Sequence, residues 1–273
     1  MEENTNIDMN QSVYNALSLL DLFNEHEELT LSEITKYTKI SKSSVYRLLT
    51  SLVLKGFLGK VTYPNNVVSY RLGLRLLELG NMVYDRLELR KVAIPHMKKL
   101  RDNTQEIVHL IILENQKATY IEKIEPKQPL SLYTRVGMSV PLDNSSGSKL
   151  LLAYLPQEER DELLENLNSN QTSIQANVKP FIIRDISKND LIKDLNVIRE
   201  KGYSENYGEN MGTLGISYPI RNNQGVVIAA LNLSILDSID LSKNKEQIKF
   251  YHDKISYAAR CISEDLGFNK SSI

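Results

Sequence analysis

The stretch Ile40 to Gly56, I-S-K-S-S-V-Y-R-L-L-T-S-L-V-L-K-G, puts two kinds of chemistry on two faces of one predicted helix. Ser43, Tyr46, Arg47 and Thr50 recur at i, i+3, i+4 and i+7, a stripe of hydroxyls and one guanidinium without an acid. Such a stripe can donate to and accept from base edges, which is what a helix needs to enter a DNA major groove. Val45, Leu48, Leu49, Leu52 and Val53 form the opposite, apolar stripe. Ser41 stands at the N-cap, Ile40 and Val45 have the spacing of a hydrophobic staple, and Gly56 ends the helix as a left-handed cap. A polar face by itself is ordinary for a surface helix, so the neighbouring elements decide how it is read.

Thr30-Leu31-Ser32-Glu33 has capping-box spacing and opens a short helix with Ile34 and Tyr37; Thr38-Lys39-Ile40 turns into the longer one. Short helix, tight turn, longer helix is the helix-turn-helix order. Val13, Ala16, Leu17, Leu19, Leu20, Leu22 and Phe23 predict a preceding helix whose wide apolar face packs beneath the pair. After Gly56 the period becomes alternating. Phe57 to Tyr63 and Val67 to Leu72 read as strands about the turn Pro64-Asn65-Asn66, a wing that carries Lys60 and Arg71. Residues 32 to 75 hold Lys36, Lys39, Lys42, Arg47, Lys55, Lys60, Arg71 and Arg75 against Glu33 alone, eight minus one or +7, in a chain of formal net charge -1. A local concentration of cations of this kind is the footprint of phosphate binding.

The 273 residues are enough for two domains, with 41% hydrophobic and 25% charged residues as in ordinary globular chains. The one cysteine, Cys261, excludes an internal disulfide framework and suits a reducing cytoplasm. No apolar run approaches a membrane span, and Met1 to Asn10 is polar and acidic, without a signal core. Leu74, Leu76, Leu77, Leu79, Met82 and Val83 predict a linker helix after the wing, suited to pairing two copies; Pro95 is expected to open the next helix. From Ile107 onward the pattern is α+β. Strands are expected over Ile107–Leu113, Ala118–Ile124, Leu130–Arg135, Ile216–Ile220 and Val226–Leu233, and helices over Ser146–Tyr154, Gln157–Leu167, Ser187–Lys201 and Lys243–Leu266. The expected organisation is a winged helix-turn-helix over 10–73, a linker helix over 74–94 and a mixed, mostly antiparallel sheet flanked by helices over 95–268.

With these elements placed, the chain resembles the IclR family of bacterial transcription regulators. The resemblance rests on Ser12-Val-Tyr-Asn-Ala-Leu-Ser-Leu-Leu, Leu31-Ser-Glu-Ile, Ser41-Lys-Ser-Ser-Val-Tyr-Arg-Leu-Leu-Thr-Ser-Leu, Gly56-Phe-Leu and Tyr70-Arg-Leu-Gly-Leu-Arg-Leu-Leu-Glu-Leu-Gly. Further along it rests on Val140-Pro-Leu, Lys149-Leu-Leu-Leu-Ala-Tyr-Leu-Pro, Gly202-Tyr-Ser, Ile216-Ser-Tyr-Pro-Ile and Gly225-Val-Val-Ile-Ala-Ala-Leu-Asn-Leu-Ser. It implies that the second half is a GAF-like effector-binding domain sensing a small metabolite, often a carboxylate. The chain departs from the family pattern in Ser145-Ser-Gly-Ser-Lys149, whose glycine stands one place early, and in a less acidic segment, Glu205-Asn-Tyr-Gly-Glu209.

Several residues are candidates for that pocket. Ser145, Ser146 and Gly147 open a helix, where free amides and hydroxyls suit a carboxylate; the serines serve equally well as plain caps. Asn232 and Ser234 share one strand face, which lines a cavity or meets solvent; the resemblance favours the cavity. Asn206 and Glu209 are expected on a loop closing over them, with Gly215 before the next strand and Met138 and Leu142 as apolar walls or plain core. An enzyme is disfavoured. Ser146-x-x-Lys149 has the spacing of a serine/lysine pair but lacks a Lys-Thr-Gly strand, and His26, His96, His109 and His252 form no metal motif, so no metal and no cofactor are expected. The resulting expectation is a ligand-responsive regulator, read as a repressor of a catabolic operon, binding double-stranded operator DNA as a homodimer or dimer of dimers. Ser41, Lys42, Ser43, Ser44, Tyr46, Arg47, Thr50, Lys60 and Arg71 are its candidate DNA contacts, and a small organic acid is its effector. The rival is a small-molecule enzyme or carrier whose first ninety residues only pair subunits.

Overall fold

The computed structural model describes residues 9–86, 88–126, 134–143, 145–169, 187–207, 213–236 and 244–269. The chain divides into two compact units, Met1–Arg86 and Leu87–Ile273.

In the first unit, α1 (Gln11–Asp21) runs into a 3-10 turn at Leu22–Asn24 and a short strand β1 (Leu29–Thr30). Helices α2 (Leu31–Tyr37) and α3 (Lys42–Leu54) follow, then β2 (Leu58–Thr62), β3 (Val68–Leu72) and α4 (Leu74–Arg86). Thr30 caps α2 in a full capping box with Glu33, and it is also the last residue of β1. Two residues are too short to show alternation, so the sequence gives no sign of β1; it pairs with β3 and makes the sheet β1-β3-β2. Leu19, Phe23, Ile34, Val45, Leu49, Leu52, Leu58 and Tyr70 form the core. The apolar face expected of α1 is narrower than predicted. Leu19 is buried, whereas Val13 and Leu17 are exposed, because at 100° per residue they lie on the far side of the helix from Leu19.

In the second unit, α5 (Glu88–Thr104) precedes the hairpin β4 (Ile107–Glu114) and β5 (Lys117–Ile124), the short β6 (Ser139–Val140), α6 (Ser146–Tyr154) and α7 (Gln157–Ser169). Then come α8 (Lys188–Lys201), β7 (Ser204–Tyr207), β8 (Thr213–Arg221), β9 (Val227–Leu236) and α9 (Lys245–Asp265). The strand order is β6-β5-β4-β9-β8-β7, and every described pairing is antiparallel. Pro95 does not open a helix. It lies inside α5, where the amide it lacks is offset by the burial of Ala93, Met97 and Leu100. The strand expected at Leu130–Arg135 falls largely outside the described residues, and β6 covers that edge of β5.

The sheet separates two cores. On one face α5 and α9 pack against Val108, Leu110, Leu214, Ile216, Leu231 and Leu233. On the other, α6 packs against Ile111, Ala118, Tyr120 and Ala230, and α8 packs on α6. Alternation along β4 and β9 therefore sends His109, Asn232 and Ser234 to the α6 face.

Candidate functional site

The α3 surface is built by its cap and its buried stripe. The Ser41 hydroxyl accepts from the Ser44 amide at 3.3 Å and bonds the Ser44 hydroxyl at 2.9 Å, while Gly56 takes φ 75° just beyond the helix. With Val45, Leu49 and Leu52 buried, Lys42, Ser43, Ser44, Tyr46, Arg47 and Thr50 all emerge exposed. Tyr46 keeps its ring in solvent although it is large and apolar, and the Thr50 hydroxyl donates to the Tyr46 carbonyl at 2.8 Å. Among the described residues, the ion pairs at this unit's cations involve only Arg71 and Arg75. Glu28, which lies outside the basic stretch, is brought by folding to 4.0 Å from Arg71. Hydrogen bonds from Ser69 and Tyr63, then the Arg71 guanidinium, hold the Glu28 carboxyl below the usual carboxylate range. Lys60 pairs across the hairpin with Tyr70, so Arg71, one residue further on, leaves the opposite face of the wing.

The second cluster lies under the start of α6. Ser145 is the N-cap, in a reciprocal box with Ser148 that uses both hydroxyls. Ser146 points to the sheet instead, and its oxygen accepts from Asn232 Nδ2 at 2.9 Å and from the Ser217 hydroxyl at 3.0 Å. Asn232 Nδ2 also donates to Ser217 at 3.0 Å, and Asn232 Oδ1 accepts from Ser234 at 2.8 Å. Behind them His109, fully buried, bonds Asn232 Oδ1 at 3.2 Å through Nδ1 and Thr134 at 2.7 Å through Nε2. Because Asn232 Oδ1 can only accept, Nδ1 carries the proton and Nε2 accepts from the Thr134 hydroxyl. Burial pushes the His109 imidazole down to about 3, so the ring is neutral and acts as a fixed dipole.

Gly147 permits this close approach. A Cβ there would stand 2.3 Å from Ile111 Cδ1 and 3.5 Å from the Ser217 hydroxyl. The Gly147 amide lies in the first turn and is not used by the capping box, which leaves a donor aimed along the positive end of α6.

The sequence-predicted pocket residues are distributed unevenly about this cluster. Ser145, Ser146, Gly147, Asn232 and Ser234 come together. Asn206 is not on a loop. It is buried in strand β7, paired with Gly215, which in turn pairs with Ser234. The local reason is that a four-residue segment is too short to announce itself as a strand; its pairing with β8 makes it one. Leu142 is buried in the core beneath α6 and Met138 packs on its margin, while Glu209 lies outside the described residues. His109, Ser217 and Thr134 were missed. The signal for His109 was a lone polar residue within the apolar run Ile107 to Leu113; Ser217 and Thr134 carried none. The serine/lysine spacing dissolves in the fold: Lys149 bonds Asp194 at 3.0 Å, whereas Ser146 faces Asn232.

Two family models match the chain, the IclR helix-turn-helix domain over residues 12–61 and the bacterial transcriptional regulator IclR C-terminal model over residues 81–264. The chain belongs to the IclR family. The transcriptional regulator XynR of Escherichia coli K12 is 34% identical over 260 residues, spanning 94% of this chain and 98% of its own. The IclR structure from Thermotoga maritima superposes with a TM-score of 0.66 at 28% identity, covering 94% of this chain and 99% of that one. An IclR homolog from Microbacterium hydrocarbonoxydans, complexed with 4-hydroxybenzoate, gives 0.70 at 27% identity, with 93% and 98% covered. The protein is a ligand-responsive, DNA-binding transcriptional regulator, and its relatives are regulators, not enzymes. Among the described residues no helix is long and apolar enough to cross a membrane.

Proposed function

We propose that this IclR-family protein is a repressor of a catabolic operon, released or retained on its operator by a small carboxylate-bearing metabolite. The winged module, 10–73, is the reader and 95–268 the sensor, with the helical stretch between them coupling the two. Tyr46, Arg47, Thr50, Ser43 and Ser44 reach base edges or adjacent phosphates. Lys42, Lys60 and Arg71 neutralise backbone charge, and Ser41 fixes the helix end that enters the groove. The single observation that carries the DNA half is the acid-free exposed stripe of α3, with Arg47 in no described ion pair. Two copies are needed to read a palindrome. Support for a homodimer, or a dimer of dimers, is the exposed apolar stripe of α4, where Leu74, Leu77 and Met82 are 77%, 60% and 50% exposed.

For the sensing half, the ligand carboxylate is received by the α6 N-terminus beside Ser146, which Asn232, with its two amide protons on Ser146 and Ser217, holds in place. Met138, Leu142, Asn206, Glu209, Gly215 and Ser234 complete the proposed contact set. Regulation then requires that the ligand prefer one of two arrangements of the paired winged modules. The test is a gel-shift titration on the chain's own upstream promoter region at fixed salt. Arg47→Ala is expected to weaken binding by about 5- to 150-fold, the loss of one bidentate base contact, with the far-ultraviolet spectrum unchanged. Equal affinity of variant and wild type removes Arg47 from the interface. Operator binding that no small carboxylate alters removes the effector half.

A further inference from the structure

The register of the second unit's sheet lines up four polar side chains in one row across adjacent strands: Ser204 opposite Ser217, Ser217 opposite Asn232, and Asn232 opposite His109. Directly opposed residues in an antiparallel ladder share a face. Ser217 and Asn232 both bond Ser146 of α6, so the whole row faces α6. The row beside it runs Asn206, Gly215, Ser234, with a glycine between two polar side chains.

The members of the main row are satisfied with one exception. Asn232, Ser217 and His109 bond one another, Ser146 or Thr134. Ser204 is 1% exposed, and among the described residues its hydroxyl has no hydrogen-bond partner. A fully buried side-chain hydroxyl without a partner is rare in folded proteins and asks for an explanation. Its neighbours supply one, because a neutral floor of hydroxyls and amide groups, with His109 uncharged, matches the hydroxyls of a ligand better than a second charge.

We propose that Ser204 is a specificity-determining contact of the effector site, which makes the effector a small hydroxy acid. Its carboxylate sits at the start of α6 and one of its hydroxyls bonds Ser204 Oγ. The proposal rests on the carboxylate reading of that site and adds the hydroxyl requirement. Ser204 stands one strand beyond Ser217, about 5 Å across the ladder, which suits a ligand whose hydroxyl is two or three bonds from its carboxylate.

The experiment compares matched pairs with and without hydroxyls, glycerate against propionate and gluconate against hexanoate. It uses isothermal titration on the full-length protein, wild type, Ser204→Ala, Ser204→Thr and Ser146→Ala. Wild type is expected to bind the hydroxylated member of at least one pair ~10-fold or more tighter, the discrimination expected when a buried polar group must be matched. Ser204→Ala should lose that preference while its affinity for the deoxy member stays level; Ser204→Thr, which keeps the hydroxyl, should retain it. Ligand-free Ser204→Ala should melt no lower than wild type, since it removes a hydroxyl that bonds nothing; a purely structural hydrogen-bonding serine would give the opposite. A preference that survives in Ser204→Ala, or a wild type that prefers no hydroxylated member, overturns the proposal. Ser146→Ala separates the two ideas. If it leaves every acid binding as before, the carboxylate placement is wrong, whatever Ser204 does. Should Ser204→Ala fail to fold, Ser204→Cys against Ser204→Thr reads the same ratio.

Discussion

His109 should make the second unit acid-sensitive, with a window set by its buried environment. The imidazole is fully buried against Asn232 and Thr134; burial depresses it to about 3, opposed by the hydrogen bond it donates to Asn232 and reinforced by Lys123. An unfolded histidine titrates near 6.5. Above that value neither state binds the proton and His109 has no effect on the pH profile. Between about 6.5 and about 3 the unfolded chain binds a proton that the native ring refuses, so stability falls with pH at about 1.4 kcal/mol per unit. From pH 7.5 to pH 5 the loss amounts to about 2 kcal/mol. His109→Asn keeps a donor near the Nδ1 position for Asn232 but does not titrate. It leaves Thr134 without its acceptor, a pH-independent cost of about 1–3 kcal/mol. Urea unfolding of both proteins at the two pH values should show the gap between them narrowing by about 2 kcal/mol on acidification. Groups that do not touch His109 contribute alike to both proteins and cancel in this difference. Carbon-13-labelled histidine spectra should also show the His109 ring staying neutral down to pH 5. A ring at position 109 that titrates near 6, or a gap that ignores pH, refutes the buried neutral dipole.

Other consequences can be checked separately. Gly147→Ala should destabilise the second unit by about 1–3 kcal/mol through overpacking, since its Cβ meets Ile111 Cδ1 at 2.3 Å. Pairing it with Ile111→Val removes the clashing methyl and should recover part of the melting temperature; a double mutant no better than the single shows that the clash is relieved elsewhere. In the first unit, Lys60→Ala should reduce the slope of log affinity against log salt by about 0.9 if its ammonium meets one phosphate. Arg71→Ala should reduce it less, because Glu28 already partners that guanidinium. Fluorescence anisotropy over a salt series decides this, and a larger change for Arg71 reverses the assignment.

The DNA-facing module was legible almost residue by residue because its information is local. Ser41, Glu33 with Thr30, the Val45–Leu49–Leu52 stripe and Gly56 each act within a few residues of where they are read, and each holds the place the spacing gives it. The sensor was legible as elements but not as a site. The strand pattern gave β4, β5, β8 and β9, yet nothing near Ser204 in sequence says that it stands opposite Ser217 or that Asn206 lies in a strand. Pro95 misled for the converse reason: a local helix-start signal was overridden by the tertiary burial of Ala93 and Met97 on either side of it.

Taken alone, then, the amino-acid order settled the helix caps, the two faces of α3, the concentration of positive charge and the alternation of the main strands. These depend on backbone geometry and side-chain period over a turn or two. Tertiary structure alone decided that Glu28 lies beside Arg71, that His109, Asn232, Ser217 and Ser146 form one network, and that Ser204 is buried with no partner among the described residues. Those contacts join residues dozens to more than a hundred positions apart. Their register follows from which strands pair and how closely Gly147 lets a helix approach the sheet, and no short window of sequence contains either.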